Sequence, residues 1–199
     1  LLQWQRSSGK LKARECREFL ERLDSQGTVQ LPTKRATKPV GSRTRIPVSA
    51  EGEPGAPIEG LVGAFEPIVL EPVHSAPQQR LYRELVGRYH YLGHAVPFGA
   101  QVRYYFSTGT QVLGCMQFSS PAWRMAALDR YLGWDDTARK ANLQKVISNS
   151  RFLILPTVRI KNLASSVLSI AAARIVSDWE NRFSVRPLLL ETLVDSARF

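Results

Sequence analysis

Glu191 and Asp195 stand four residues apart in an apolar run, Pro187 to Asp195, that suits a strand, so both carboxylates project from one face of a sheet. A carboxylate placed there could act as general base toward an amine. Joined by Asp129 or Asp178, the pair could instead hold divalent metals for strand cleavage. The plainer alternative is an ion pair between Glu191 and a basic residue such as Arg151 on the neighbouring strand. His90 is a second candidate base. His94 follows four residues later, but Gly93 intervenes and no Cys or carboxylate is near, so no metal is expected; a helix-end or cleft-lining role accounts for His90 as well. A third group is Arg159, Lys161, Asn162, Ala164 and Ser165, between an apolar run that ends at Pro156 and a long amphipathic segment. Two cations, bare amides and a helix start suit an anionic ligand, although Asn162 also reads simply as an N-cap. The fourth group is Lys34, Arg35, Lys38, Arg43 and Arg45, five cations with no acid among them, fit to meet nucleic-acid phosphates or to form a solvated basic tail.

The elements that must position these groups follow from periodicity. Lys12 to Leu23 places Cys16, Phe19, Leu20 and Leu23 at helical spacing, and Gly27 ends the helix. Val29 to Pro32 alternates as a short strand. Helix, glycine turn, strand and basic arm resemble the last helix and wing of a winged-helix unit over residues 1–33. Residues 34–77 read as a Pro/Gly-rich linker, basic then acidic, within which Leu61 to Leu70 is an apolar strand or clasp; Pro67 and Pro72 argue against a central strand there. The main domain, 78–199, opens with a helix into Tyr89. A hairpin follows, Gln101–Phe106 with Gln111–Phe118, then a helix from Trp123 to Leu132, a strand at Phe152–Leu155, a helix from Leu163 to Phe183 and a strand at Leu188–Val194. That order is mixed α+β.

Bulk composition narrows the partners. The chain has 199 residues and a formal net charge of +10. Residues 1–50 carry a balance of +7, residues 51–80 of −4 and residues 81–199 of +7, so basic head, acidic bridge and basic body read as separate modules, at least one of which meets a polyanion; DNA is the expected partner. No apolar run approaches a membrane span, and the two isolated cysteines, Cys16 and Cys115, suit a reducing cytoplasm. The missing initiator Met reads as an internal piece of a longer chain.

The order of elements resembles the GNAT acyltransferase fold, with a mixed sheet flanked by helices. Arg159-Ile160-Lys161-Asn162-Leu163-Ala164 sits where that family has a pyrophosphate loop, with Asn162 in place of the first glycine. The resemblance implies acyl-CoA as cofactor and an N-acyltransferase activity. A second resemblance is carried by words in order: Tyr89-His90-Tyr91-Leu92-Gly93, Arg130-Tyr131-Leu132-Gly133-Trp134, Ser150-Arg151-Phe152-Leu153-Ile154-Leu155-Pro156, Asn162-Leu163-Ala164-Ser165, Asp178-Trp179 and Glu191-Thr192-Leu193-Val194-Asp195. Together they are similar to the bacterial family that includes the Druantia anti-phage protein DruA, whose members also occur beside transposase-like segments. That resemblance implies an accessory role in anti-phage defence or a mobile element, with defence-system or transposase proteins as partners, and leaves catalysis open.

Overall fold

The structure is a computed structural model that describes residues 13–32, 46–109 and 111–193. Lys34, Arg35, Lys38, Arg43, Arg45 and Asp195, all expected to be functional, lie outside the described residues. The chain divides into two compact units, residues 1–44 and 45–199.

In the first unit, helix α1 spans Ala13–Ser25. Gly27, at φ 70°, takes the left-handed conformation that ends it, and Thr28 N–H closes back on Leu23 O. The strand expected at Val29–Pro32 is not formed among the described residues. Leu31 N–H donates to the Asp24 carboxylate at 2.9 Å, so a side chain takes the place of a ladder partner. No wing is therefore seen beside α1 in the described residues.

The second unit is built on a five-stranded sheet in the order β2-β3-β4-β5-β7: β2 (Ile68–Pro72), β3 (Gln101–Thr108), β4 (Gln111–Ser119), β5 (Val146–Ile154) and β7 (Leu189–Thr192). The first three pairings are antiparallel and β5–β7 is parallel. A separate parallel pair joins β1 (Ile58–Leu61) to β6 (Val158–Lys161). Residues 58–72, inside the expected linker, therefore carry two strands. Pro67 precedes β2 and Pro72 ends it, and β2 lies at the sheet edge, where a missing N–H costs no ladder bond.

Two helices cover the sheet. On one face lies α5 (Leu163–Phe183), bounded as its periodicity predicts. Leu163, Val167, Ala171, Ile175 and Trp179 recur every fourth residue, and all are at most 2 % exposed. They face Tyr104, Phe106, Met116 and Phe118, and the Tyr104 hydroxyl donates to Asp178. The other face carries α2 (Ala76–Tyr89), started by a capping box in which Ser75 and Gln78 bond reciprocally. Tyr82, Leu85 and Val86 are its buried residues toward the sheet, and the Tyr105 hydroxyl donates to Gln78 O. Two short helices, α3 (Ala126–Leu132) and α4 (Asp136–Asn142), link β4 to β5. Gly133, at φ 66°, closes α3, and Asp135 caps α4. Among the described residues no helix is long and apolar enough to cross a membrane.

Glu84 on α2 ties down the segment before β1. Its carboxylate accepts from Ser49 N–H at 2.8 Å, from the Ser49 hydroxyl at 2.7 Å and from Arg88 at 3.1 Å. Burial alone would raise its pKa; the Ser49 and Arg88 bonds outweigh that and hold it below the usual range. This stabilisation is thus complete above the unfolded-state pKa and is lost as pH falls through the lower folded value. Glu84→Gln is expected to cost about 1–3 kcal/mol at neutral pH, read from the urea midpoint, with the deficit shrinking in acid.

Candidate functional site

Strand register sets two polar rows side by side on the α2 face of the sheet. Across β3, β4 and β5 the first row is Arg103, Gln117, Arg151. The second, one step toward the sheet end, is Gln101, Ser119, Ser148 and, on β7, Glu191. A step the other way, the same face becomes apolar, with Tyr105, Cys115 and Leu153. Gln117 and Ser119 are at most 2 % exposed, so this polar floor has given up its water. Buried polar surface without partners is costly.

A β-bulge makes the alignment. Gln117 pairs with Arg151 and Phe118 with Asn149, which leaves Ser150 as the extra residue on β5. Strict alternation would send Ser148 and Arg151, three apart, to opposite faces; the inserted residue returns them to the same one. Asn149, with its amide turned to suit its neighbours, donates to Gln117 O at 3.3 Å and Arg151 O at 3.0 Å, holding the bulge. Within the first row, Arg103 Nε donates to Gln117 Oε1 at 2.9 Å, Arg103 Nη2 to Gln101 Oε1 at 2.7 Å, and Gln117 Nε2 to Ser150 Oγ at 3.1 Å. Arg151 is held by backbone carbonyls, its Nε on Gly93 O at 3.0 Å and its Nη1 on Ser150 O at 2.6 Å.

The electrostatics are one-sided. Arg103 and Arg151 are half-buried, yet neither has a carboxylate within ion-pair distance among the described residues. Burial holds Arg103 below its usual pKa, with Arg83 and Arg182 adding like charge. His94 is lowered by burial, then by Arg103, Arg83 and Arg151. His90 is pushed down to about 4, by burial first and by Arg151 next. Its Nδ1 accepts from Leu92 N–H at 3.2 Å, so the neutral ring carries its proton on Nε2. The Tyr82 phenol lies under Arg103, whose guanidinium carbon is 5.0 Å from the ring centre; burial raises its pKa, and its hydroxyl has no partner among the described residues. His94 Nε2 is likewise buried without one. Arg83 and Arg182 are exposed and screened by water, so the unanswered charge that solvent relieves least is that of Arg103 and Arg151.

Of the candidates read from sequence, His90 and Glu191 come to this face. His90 caps α2 beside Arg151, and Glu191 ends the second row. The alternative of a Glu191–Arg151 pair is not realised: Arg151 Nε and Nη1 go to carbonyls, and no ion pair joins it to Glu191. Neither carboxylate oxygen of Glu191 has a hydrogen-bond partner among the described residues; burial raises its pKa and the nearby Ser148 hydroxyl offsets only part of this. A raised carboxyl pKa favours folding below the unfolded value and loses that contribution as pH rises through the folded one. Glu191→Gln is therefore expected to gain stability over wild type at pH 8 relative to pH 5, as followed by urea midpoints. Asp129 is bound to Arg139 and Asp178 to Arg174 and Tyr104, so neither joins Glu191, and among the described residues no three metal-ligating side chains converge.

The bend after Pro156 is closed rather than open. Val158 N–H donates to Leu155 O at 2.9 Å, and residues 158–161 then pair with β1. Val158 and Ile160 are buried, so Arg159 and Lys161 point outward, with Glu59 across from Arg159. Asn162 starts α5 in the left-handed conformation, φ 66°, and makes no side-chain cap bond, which corrects its reading as an ordinary N-cap. Ala164 and Ser165 occupy the first turn of α5. Sequence reasoning missed Arg103, Gln117, Ser119 and Ser148. The available signal was the change from apolar to polar at alternate hairpin positions, Tyr105 to Arg103 to Gln101 and Cys115 to Gln117 to Ser119.

Comparison with known proteins adds one result. The family described as Druantia protein DruA matches residues 22–199, which take in both polar rows. Neither the curated proteins nor the solved structures gave a match. With the match running from within α1 to the last residue, the chain belongs to the Druantia protein DruA family.

Proposed function

We propose that this protein is a DNA-associated accessory component of anti-phage defence, acting with other proteins of its defence system. Family membership supports the defence role. The observation that carries the DNA association is the set Arg83, Arg103, Arg151 and Arg182, none with an acid partner among the described residues; Arg83 and Arg182 bear on Arg103, and Arg83, Arg103 and Arg151 together bear on His94. The net charge of +10 points the same way. Lys34, Arg35, Lys38, Arg43 and Arg45 would add phosphate contacts, from a module of winged-helix type.

Phosphate contacts carry a defined salt signature. Four of them give a slope of about −3.6 in log affinity against log salt, a loss of roughly 100-fold between about 50 and 200 mM. Fluorescence anisotropy with duplex and single-stranded oligonucleotides is expected to show at least this dependence. Binding indifferent to salt, or none at low salt, would remove the proposal.

A second reading, an acyl-CoA-dependent N-acyltransferase on a GNAT-like body, is supported by the mixed sheet flanked by helices, in which β5 and β7 run parallel. Among the described residues, Val146–Asn149 of β5 pair with Leu189–Thr192 of β7. On that reading cofactor would enter beside β5, the first-turn amides of Ala164 and Ser165 would meet pyrophosphate, and Glu191 or His90 would serve as base. The turn bond from Val158 N–H to Leu155 O and the pairing of residues 158–161 with β1 weigh against it. Calorimetry with acetyl-CoA decides the matter, and no heat of binding in the full-length protein would eliminate this reading.

A further inference from the structure

Each guanidinium of the first row has one end tied and one end free. Arg103 commits Nε and Nη2 to Gln117 and Gln101, and Arg151 commits Nε and Nη1 to Gly93 and Ser150. That leaves Nη1 of Arg103 and Nη2 of Arg151 without a partner among the described residues, on two residues that register aligns through Gln117. The Tyr82 hydroxyl, on a fully buried side chain, lies in the field of both and is itself unpartnered, as is buried His94 Nε2. The row is thus a set of oriented donors over a dry floor, with excess positive charge and no counter-ion among the described residues.

We propose that the Arg103–Gln117–Arg151 row is a binding site for a phosphate monoester, and that the group it takes is the terminal phosphate of a nucleic-acid strand. The inference rests on the DNA reading above and narrows it. A backbone diester carries one charge and presents two free oxygens. A terminal monoester carries close to two charges and three strong acceptor oxygens, which match two fixed guanidinium ends better. The tethering of both arginines suits a compact end group. Long, free side chains would be expected where a backbone is tracked along its length.

Anisotropy with one oligonucleotide sequence bearing a 5′-phosphate, a 3′-phosphate or hydroxyls at both ends tests the proposal on the full chain. A phosphorylated strand is expected to bind at least about tenfold more tightly than the hydroxyl strand, as one charge-assisted bond would provide. Arg151→Lys keeps the charge but loses the planar fork, so it is expected to abolish that preference while leaving the salt slope unchanged. Should that variant fold poorly, inorganic phosphate on the wild-type protein is expected to displace the phosphorylated strand down to the affinity of the hydroxyl strand, beyond chloride at matched ionic strength. Equal binding of all three strands with a steep salt slope would overturn the terminal-phosphate site and leave DNA association standing; no binding of any strand would remove both. Inorganic phosphate or a nucleoside monophosphate binding as tightly as the phosphorylated strand would overturn the assignment to a strand end.

Discussion

Gly114→Val is expected to lower the unfolding midpoint by roughly 10 °C without touching a charged group. Gly114 sits on β4 opposite Phe106 of β3 and Ile154 of β5. A Cβ added there would stand 2.1 Å from Leu153 O and 2.4 Å from the Phe106 ring, which stacks on Phe152 with centroids 5.7 Å apart. Neither can yield cheaply, since one is strand backbone and the other a fully buried ring. Overpacking of this kind costs about 1–3 kcal/mol, and contact with a carbonyl places it at the upper end. For a chain of this size each kcal/mol is worth about 2–4 °C. Gly63, where a Cβ meets nothing within 4 Å, is the matched control, and Gly63→Ala is expected to stay within about 0.5 kcal/mol of wild type. Differential scanning calorimetry of the two variants gives the comparison. A Gly114→Val protein that melts with the wild type would mean that β4 is not central.

Removing both guanidiniums of the first row has the largest expected effect on binding. Arg103→Gln with Arg151→Gln deletes two charge-assisted contacts of about 1.5–3 kcal/mol each, which predicts a loss of about 100-fold or more in DNA affinity at low salt. The salt slope should become shallower by about 1.8, two contacts at 0.9 each. Arg130, an exposed cation on α3, provides the charge-matched comparison. If the row is the site, Arg130→Gln shifts affinity by well under tenfold; an equal loss there would reduce the protein to a generically basic surface. The double substitution frees Gln117 and Gln101 from their arginine donors but also relieves like-charge crowding. Stability is therefore expected to change by no more than about 1–2 kcal/mol, so the binding loss can be read without unfolding.

Local pattern carried much of the fold. The helix at 163–183 was legible to the residue because a 21-residue amphipathic stretch fixes its own period, and the hairpin because β-rich runs flank Ser107-Thr108-Gly109-Thr110. Short elements were not. α4 has seven residues and reads as a loop until Asp135 is seen to cap it and the Arg139 side chain to bind Asp129 and Asp136. β6 has four and becomes a strand only because β1, a hundred residues earlier, lies beside it. An isolated run of that length has no independent preference strong enough to declare itself.

The candidate site divides along the same line. Composition and order of residues, by themselves, determined the excess of positive charge, the long helices and the hairpin, the family, and the presence of His90 and Glu191 as titratable groups worth watching. Only the tertiary structure decided that Arg103 and Arg151 stand in one row, that Arg151 answers to carbonyls instead of Glu191, and that the stretch after Pro156 turns back on Leu155 and pairs with β1. The physical reason is the twofold period of a strand. A single extra residue, Ser150, changes which side chains share a face, and pairing between strands far apart in the chain determines whether that insertion becomes a bulge or a slip.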